Sequence, residues 1–190
     1  ENNKRLSYED GVALYELDLF TLGHYANIRR RARHGNKAFF NINRHINPTN
    51  ICKDICKFCA FSANRKNPNP YTLSHEEILS ILDDSVKNRG ITEVHIVSAH
   101  NPDTGLEWYL EIFSKVKARF PSLHVKALTA AEINFLSEEY GLSVDAVIEK
   151  MLEYGVDSMP GGGAEIFDED VRAFVCKGKV TSQGWLDIHQ

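Results

Sequence analysis

Apolar residues along this chain fall into two alternating rhythms. Behind Ser74 and Glu77, Ile78, Ile81, Leu82 and Val86 recur at helical spacing and stop at Gly90. Ser74-x-x-Glu77 is a capping box, in which each side chain satisfies the other residue's orphan backbone N–H. The same rhythm returns over Leu106 to Phe120, ended by Pro121, and over Glu132 to Tyr140 and Val144 to Tyr154, with Gly141 and Gly155 as punctuation. Asp168 to Phe174 and the stretch from Trp185 onward also read as helical. Between these lie short runs at 38–43, 93–98, 123–129 and 156–159 that read as strands. Strands separated by helices predict parallel βαβ units, and in barrels of that kind the chemistry sits on the loops that follow the strands.

Residues 7 to 34 read as one helical segment, with Ser7 and Asp10 as a weak cap, Leu14, Leu17, Leu22, Tyr25 and Ile28 as its apolar positions and Gly35 as its stop. The expected organisation is therefore a helical extension over 1–37 and an α/β core over 38–190.

Composition adds exclusions. The chain is 43% apolar and 25% charged with a net charge of −4, which gives no electrostatic case for nucleic acid or an anionic membrane. Arg29, Arg30, Arg31 and Arg33 fall on a helical segment and read as a solvated face. No stretch approaches the ~20 apolar residues of a membrane span, and the Glu-Asn-Asn-Lys-Arg start has no signal-peptide core. Clustered thiols in such a chain predict a reducing, cytoplasmic setting.

The densest chemical signal is Cys52-Lys-Asp-Ile-Cys56-Lys-Phe-Cys59. A closed zinc site or an electron-transfer cluster wants four protein ligands, and Cys176, the remaining cysteine, is remote in sequence. A four-iron cluster held by three cysteines leaves one iron open to bind and activate a small molecule. The alternatives are unpaired thiols, a zinc knuckle short of one ligand, or a ferredoxin-like carrier with a non-cysteine fourth ligand. The first two leave the clustering unexplained, and the βαβ frame is oversized for the third.

The spacing, with aromatic Phe58 before the last cysteine, resembles the radical S-adenosylmethionine (SAM) superfamily and its Cys-x3-Cys-x-aromatic-Cys signature. That resemblance implies a [4Fe-4S] cluster on Cys52, Cys56 and Cys59, SAM as the second cofactor, an external reductant such as flavodoxin or ferredoxin, and a six-unit (β/α)6 barrel. At roughly 31 residues per unit, the stretch from Ala38 onward is too short for six. The expectation is a partial TIM-like barrel of about four parallel strands, the N-terminal part of a longer enzyme.

Further segments narrow the family. Asn43-Arg-His-Ile-Asn-Pro-Thr-Asn50 leads into the cysteines, and Lys126 to Ile133 and Asp157-Ser-Met-Pro-Gly-Gly-Gly-Ala-Glu-Ile166 follow later. Their order resembles the futalosine-pathway radical SAM enzymes of menaquinone biosynthesis. Within them, the entry and the Trp185-Leu-x-Ile-His189 ending are most similar to the aminofutalosine synthase family; the sister cyclic dehypoxanthine futalosine synthases share the cysteine run and the triple glycine. The first family's reaction adds the 5′-deoxyadenosyl radical of SAM to an enol-ether benzoate, 3-[(1-carboxyvinyl)oxy]benzoate, giving 6-amino-6-deoxyfutalosine.

Candidate site residues follow from position. Ser98 and Ala99 stand where the superfamily commonly carries a Gly-Gly-Glu-like stretch touching the SAM amino group; this chain lacks those residues, so backbone carbonyls would take the role. Glu132 and Glu165 lie just past strand ends and read either as acceptors for SAM hydroxyls or ammonium, or as helix N-terminal charges. Gly161 and Gly162, with Gly163, allow backbone to approach a ligand closely. His45 and Asn47 precede the cluster loop and are candidates for substrate contact, as is His100, which reads equally as a polar loop residue. His24, His75, His95 and His124 read as structural, His34 and His189 as exposed, and Cys176 as an incidental thiol.

Overall fold

The computed structural model describes residues 4–63 and 68–190. The chain separates into two compact units, Glu1–Phe40 and Asn41–Gln190. In the first, helix α1 (Tyr8–Ala13) runs into a single 3-10 turn and is followed by α2 (Leu19–His34). The expected single helix is broken because Leu17 is extended and Asp18 caps α2, its carboxylate accepting from Phe20 N and Thr21 N at 3.1 and 3.0 Å. Ser7 and Asp10 do form a reciprocal cap on α1.

The second unit is built on a parallel sheet of β1 (Asn43–Ile46), β3 (Glu93–Ile96) and β4 (His124–Ala127) in the order β1-β3-β4. Helix α3 (His75–Arg89) connects β1 to β3, and α4 (Leu106–Arg119) connects β3 to β4. After β4 come α5 (Ala130–Tyr140), α6 (Val144–Glu153), α7 (Glu169–Val175) and α8 (Ser182–Ile188). A separate two-residue ladder pairs β2 (Ile55–Cys56) antiparallel with β5 (Cys176–Lys177). Capping boxes start α3 at Ser74–Glu77 and α5 at Thr129–Glu132.

Register sorts the sheet into two faces. Ile46, Ile96 and Ala127 align across the strands, as do Val94 and Val125. These five residues are buried in one core with Ile78 and Leu82 of α3, Ile112 and Phe113 of α4 and Ile133 and Leu136 of α5. The opposite face is polar, carrying Asn43, His45, Glu93, His95, His124 and Lys126 in register. Glu93 anchors it: Lys126 Nζ lies 3.1 Å away, Asn41 Nδ2 donates at 2.7 Å, and His95 Nε2 is in close contact. Its burial works against the charge. The contacts from His95, Lys126 and Asn41 outweigh that and hold its carboxyl at about 2. His95 and His124 thus share the polar face with His45 rather than filling a core.

Two strand boundaries differ from the sequence pattern. The first ladder begins at Asn43, not at Ala38, and Phe39 and Phe40 are exposed. The fourth strand is reduced to a parallel bridge between Lys126 and Ser158. There the Asp157 carboxylate turns back to accept from Val125 N at 2.7 Å and from Lys117 Nζ at 2.6 Å, so a side chain takes a place in the ladder. Pro160, two residues on, supplies no N–H to extend it. No described helix is long and apolar enough to cross a membrane.

Candidate active site

Parallel strand order puts the segments after β1 and β3 at one end of the sheet, and they are stitched together there. Ser98 Oγ donates to Thr49 O and accepts from Thr49 N, at 3.3 and 3.2 Å. Asn47 Nδ2 donates to Val97 O at 2.9 Å, which accounts for this asparagine structurally. Lys53 N donates to His100 O at 3.0 Å, fixing the start of the cysteine loop to the end of the β3 segment.

These segments enclose a cavity of about 120 Å³ lined by all three cysteines, Phe58, Ser98, Ala99 and His100. Asp54, Phe61, Ser62 and Lys179 complete the wall. The cysteines are free and partly buried, and Cys176 is buried outside the lining. Burial pushes the Cys52 thiol up, and pushes Cys56 up to about 11. Thiolates in such a place need bound cations to compensate their charge. Among the described residues, no three Cys, His, Asp or Glu side chains converge to hold one ion. Three thiols distributed around one small cavity instead suit ligation to separate iron corners of a cluster, and the residues fit that group.

Beneath the wall, Glu132 is fully buried and every contact is internal. One carboxylate oxygen accepts from Ser98 N at 2.6 Å, and the other from Thr129 N and Thr129 Oγ1 at 2.7 Å each. It is therefore the helix-capping residue of its two sequence readings, and it aims Ser98. Burial raises its pKa despite those bonds.

His100 is equally committed. Its ring stacks on Phe135 at 4.9 Å with planes 3° apart, and its Nδ1 lies 2.8 Å from Asp54 Oδ2. That approach is off the hydrogen-bonding direction, which leaves the buried Asp54 Oδ2 without a hydrogen bond among the described residues. His45 lies on the polar sheet face, its ring edge toward His95, and outside the cysteine cavity.

The glycine loop is tied inward. A side chain at Gly162 would strike Thr129 Cγ2 at 2.9 Å, so the glycine is required by packing. Gly162 O accepts from Trp185 Nε1 at 3.0 Å, whereas Gly161 has open space around it. Glu165, with a φ of +55°, pairs with Lys179 at 2.7 Å. Burial works against the Lys179 charge; Glu165, and then the Cys56 and Cys176 sulfurs, raise its pKa overall.

Arg172 and Lys179 carried no signal in the sequence pattern, and Cys176 read there as an incidental thiol. The Arg172 guanidinium is buried and, among the described residues, donates to backbone: to Ala164 O, Ile166 O at 2.9 Å, Gly163 O at 3.0 Å and Val180 O at 2.8 Å. Cys176 stands opposite Cys56 in the short ladder. Gly178, at a φ of +97°, lets the following turn rest on Asp54, where a side chain would lie 3.3 Å from Oδ1. Only these long-range contacts bring Lys179 to the cysteines, so local spacing could not reveal it.

A cavity lined by three cysteines at the strand ends of a partial parallel α/β barrel is the frame of an enzyme core with room for ligand chemistry between its loops. The model of the radical SAM superfamily matches residues 46–190, and the chain belongs to that superfamily. Among curated relatives it is 39% identical to an aminodeoxyfutalosine synthase of Thermus thermophilus over 98% of its length and 50% of the relative's. It is 38% identical to a 5-amino-6-(D-ribitylamino)uracil–L-tyrosine 4-hydroxyphenyl transferase of Microcystis aeruginosa, covering 86% of this chain and 44% of that one. A cyclic dehypoxanthine futalosine synthase of Halalkalibacterium halodurans is 36% identical over 98% and 50%. The chain thus spans about half the length of the curated relatives it matches. Crystalline methylornithine synthase superposes with a TM-score of 0.71 at 21% identity, over 98% of this chain and 52% of that one, a likeness of fold.

Proposed function

We propose that this chain is the cluster- and SAM-binding part of a futalosine-pathway radical SAM enzyme, and that the reaction is that of an aminofutalosine synthase. The observation that carries the cofactor reading is the cavity whose wall holds Cys52, Cys56 and Cys59 and no further cysteine. The three thiolates would hold a [4Fe-4S] cluster with one iron left for SAM. When bound and reduced, such a cluster supplies the single electron that cleaves the SAM sulfonium.

The chain's own residues bind, orient and shield. Phe58, more than half exposed, offers an apolar wall beside Cys59. Backbone carbonyls of Ser98 and Ala99, in the same wall, would accept from the SAM ammonium, with Glu132 holding Ser98 through its N–H. Gly161 is the open position of the glycine loop and offers backbone to a ligand. His45, on the polar sheet face, is the substrate-contact candidate; Asn47 and His100 serve that contact only by holding the loops. The substrate would be the enol-ether benzoate, the product 6-amino-6-deoxyfutalosine, and the electron donor a flavodoxin or ferredoxin.

The choice of reaction leans on the similarity to the Thermus protein and on the Asn43–Asn50 and Trp185–His189 segments. The test is mass spectrometry of products after anaerobic reconstitution, with SAM and each of three substrates: the enol ether, dehypoxanthine futalosine, and tyrosine with the ribitylaminouracil. The enol ether alone should give an adenosylated product. Turnover of either other substrate in its place contradicts the assignment.

A further inference from the structure

Among the described residues, the cysteine cavity has one ammonium in its wall. Lys179 lines it, with a side chain only 16% exposed, and of its three N–H donors one goes to Glu165 Oε1 at 2.7 Å. Neither member of this pair is loosely held. Lys179 N donates to Cys176 O at 3.2 Å, in the turn that follows β5, and β5 itself sets Cys176 opposite Cys56. Gly178 seats that turn on Asp54, between two of the cysteines in sequence. Arg172 then fastens a neighbour of each partner. It bonds Ala164 O and Ile166 O on either side of Glu165, and Val180 O next to Lys179.

A cluster carried by three thiolates is anionic and gains a further negative charge on reduction. A largely buried ammonium in the same wall favours the reduced form, and a carboxylate beside that ammonium opposes it. We propose that the Lys179–Glu165 pair sets the reduction potential of the cluster held by Cys52, Cys56 and Cys59, with Lys179 raising it and Glu165 trimming that effect. The inference rests on the cluster reading above. It assigns to Lys179 a tuning role and no contact with the reacting atoms.

The two members have opposite signs, which general damage to the loop would not produce. The test is an EPR-monitored redox titration with dithionite on the anaerobically reconstituted chain, without SAM. Lys179→Gln should cut the reduced-to-oxidised ratio at a fixed potential about tenfold, a midpoint lower by about 59 mV for one electron. Glu165→Gln should move the midpoint up, and Lys179→Arg should stay near the wild type. Unchanged midpoints in both neutral variants, or shifts in the same direction, overturn the proposal. So does a Lys179→Gln protein that keeps its midpoint but loses SAM affinity, since the ammonium would then serve a ligand carboxylate. If Lys179→Gln takes up no cluster, Glu165→Gln decides: an upward shift supports the proposal and any other result overturns it. A wild-type chain that assembles no cluster refutes the cluster reading itself, and the tuning role falls with it.

Discussion

Cys56 and Cys176 face each other across a two-residue antiparallel ladder, although one belongs to the cysteine loop and the other to the segment after α7. The pairing makes Cys176 a structural neighbour of the cluster loop. Its thiol donates to Arg172 O at 3.3 Å and it is 2% exposed. Replacing Cys52, Cys56 or Cys59 by Ala should abolish iron uptake. Cys176→Ala should leave iron content unchanged and cost about 1 kcal/mol of stability, typical of a small buried deletion. Iron analysis beside urea denaturation checks both, and iron loss in Cys176→Ala would show the site to be closed by a fourth thiolate.

Arg172 should matter more to stability than any single core residue near it. Arg172→Met leaves four backbone carbonyls without their donor, and each such loss costs about 1–3 kcal/mol when buried. A combined loss of about 3 kcal/mol or more is expected in chemical denaturation. Arg172→Lys should rescue little of it, because an ammonium lacks the planar fork that reaches several carbonyls at once. Full rescue by lysine would show that charge alone matters there.

Glu132→Gln tests whether the buried carboxylate aims Ser98. Both oxygens accept, from three donors, and an amide would turn N–H groups toward some of them. The expected cost is about 1–3 kcal/mol of stability, with weaker SAM binding to the loaded protein and unchanged iron content. SAM affinity at the wild-type value would remove Glu132 from the account of that wall.

The polar sheet face should give the chain an acid-sensitive component. The Glu93 carboxyl is held at about 2, below its ordinary 4.5, so ionisation is favoured in the folded state. That contribution is present above pH 4.5 and is lost as pH falls toward 2. Glu93→Gln should flatten the stability profile in that window; an unchanged acid limb would contradict the assignment.

Local signals made the helices legible. The Ser74–Glu77 box and the Gly90 stop lie where the pattern puts them, because capping is chemistry between near neighbours. The strands after α3 and α4 were readable for the same reason, since the helices bracket them. Phe39 and Phe40 misplaced the first strand: apolar and aromatic residues suggest a strand, but only the register with Glu93 decides where the ladder starts. The cysteine triplet, Phe58, Ser98 and Ala99 were legible as one site through their order after the strands. Lys179 and Arg172 were not, since their partners are backbone carbonyls and a loop brought near by β2–β5 pairing, which no periodicity encodes. Glu132 and His100 were found but underdetermined: position marked them, and only their hydrogen bonds, stacking and burial showed that they face inward.

The central claim is a three-cysteine cluster with an iron left open for SAM. Its most direct test is the EPR spectrum of the anaerobically reconstituted, dithionite-reduced chain before and after SAM is added. The account predicts about four irons per chain, a [4Fe-4S] signal lost in each of the three Cys→Ala variants, and a change in that signal when SAM binds. A signal indifferent to saturating SAM, or a cluster that persists without one of the three cysteines, would contradict it.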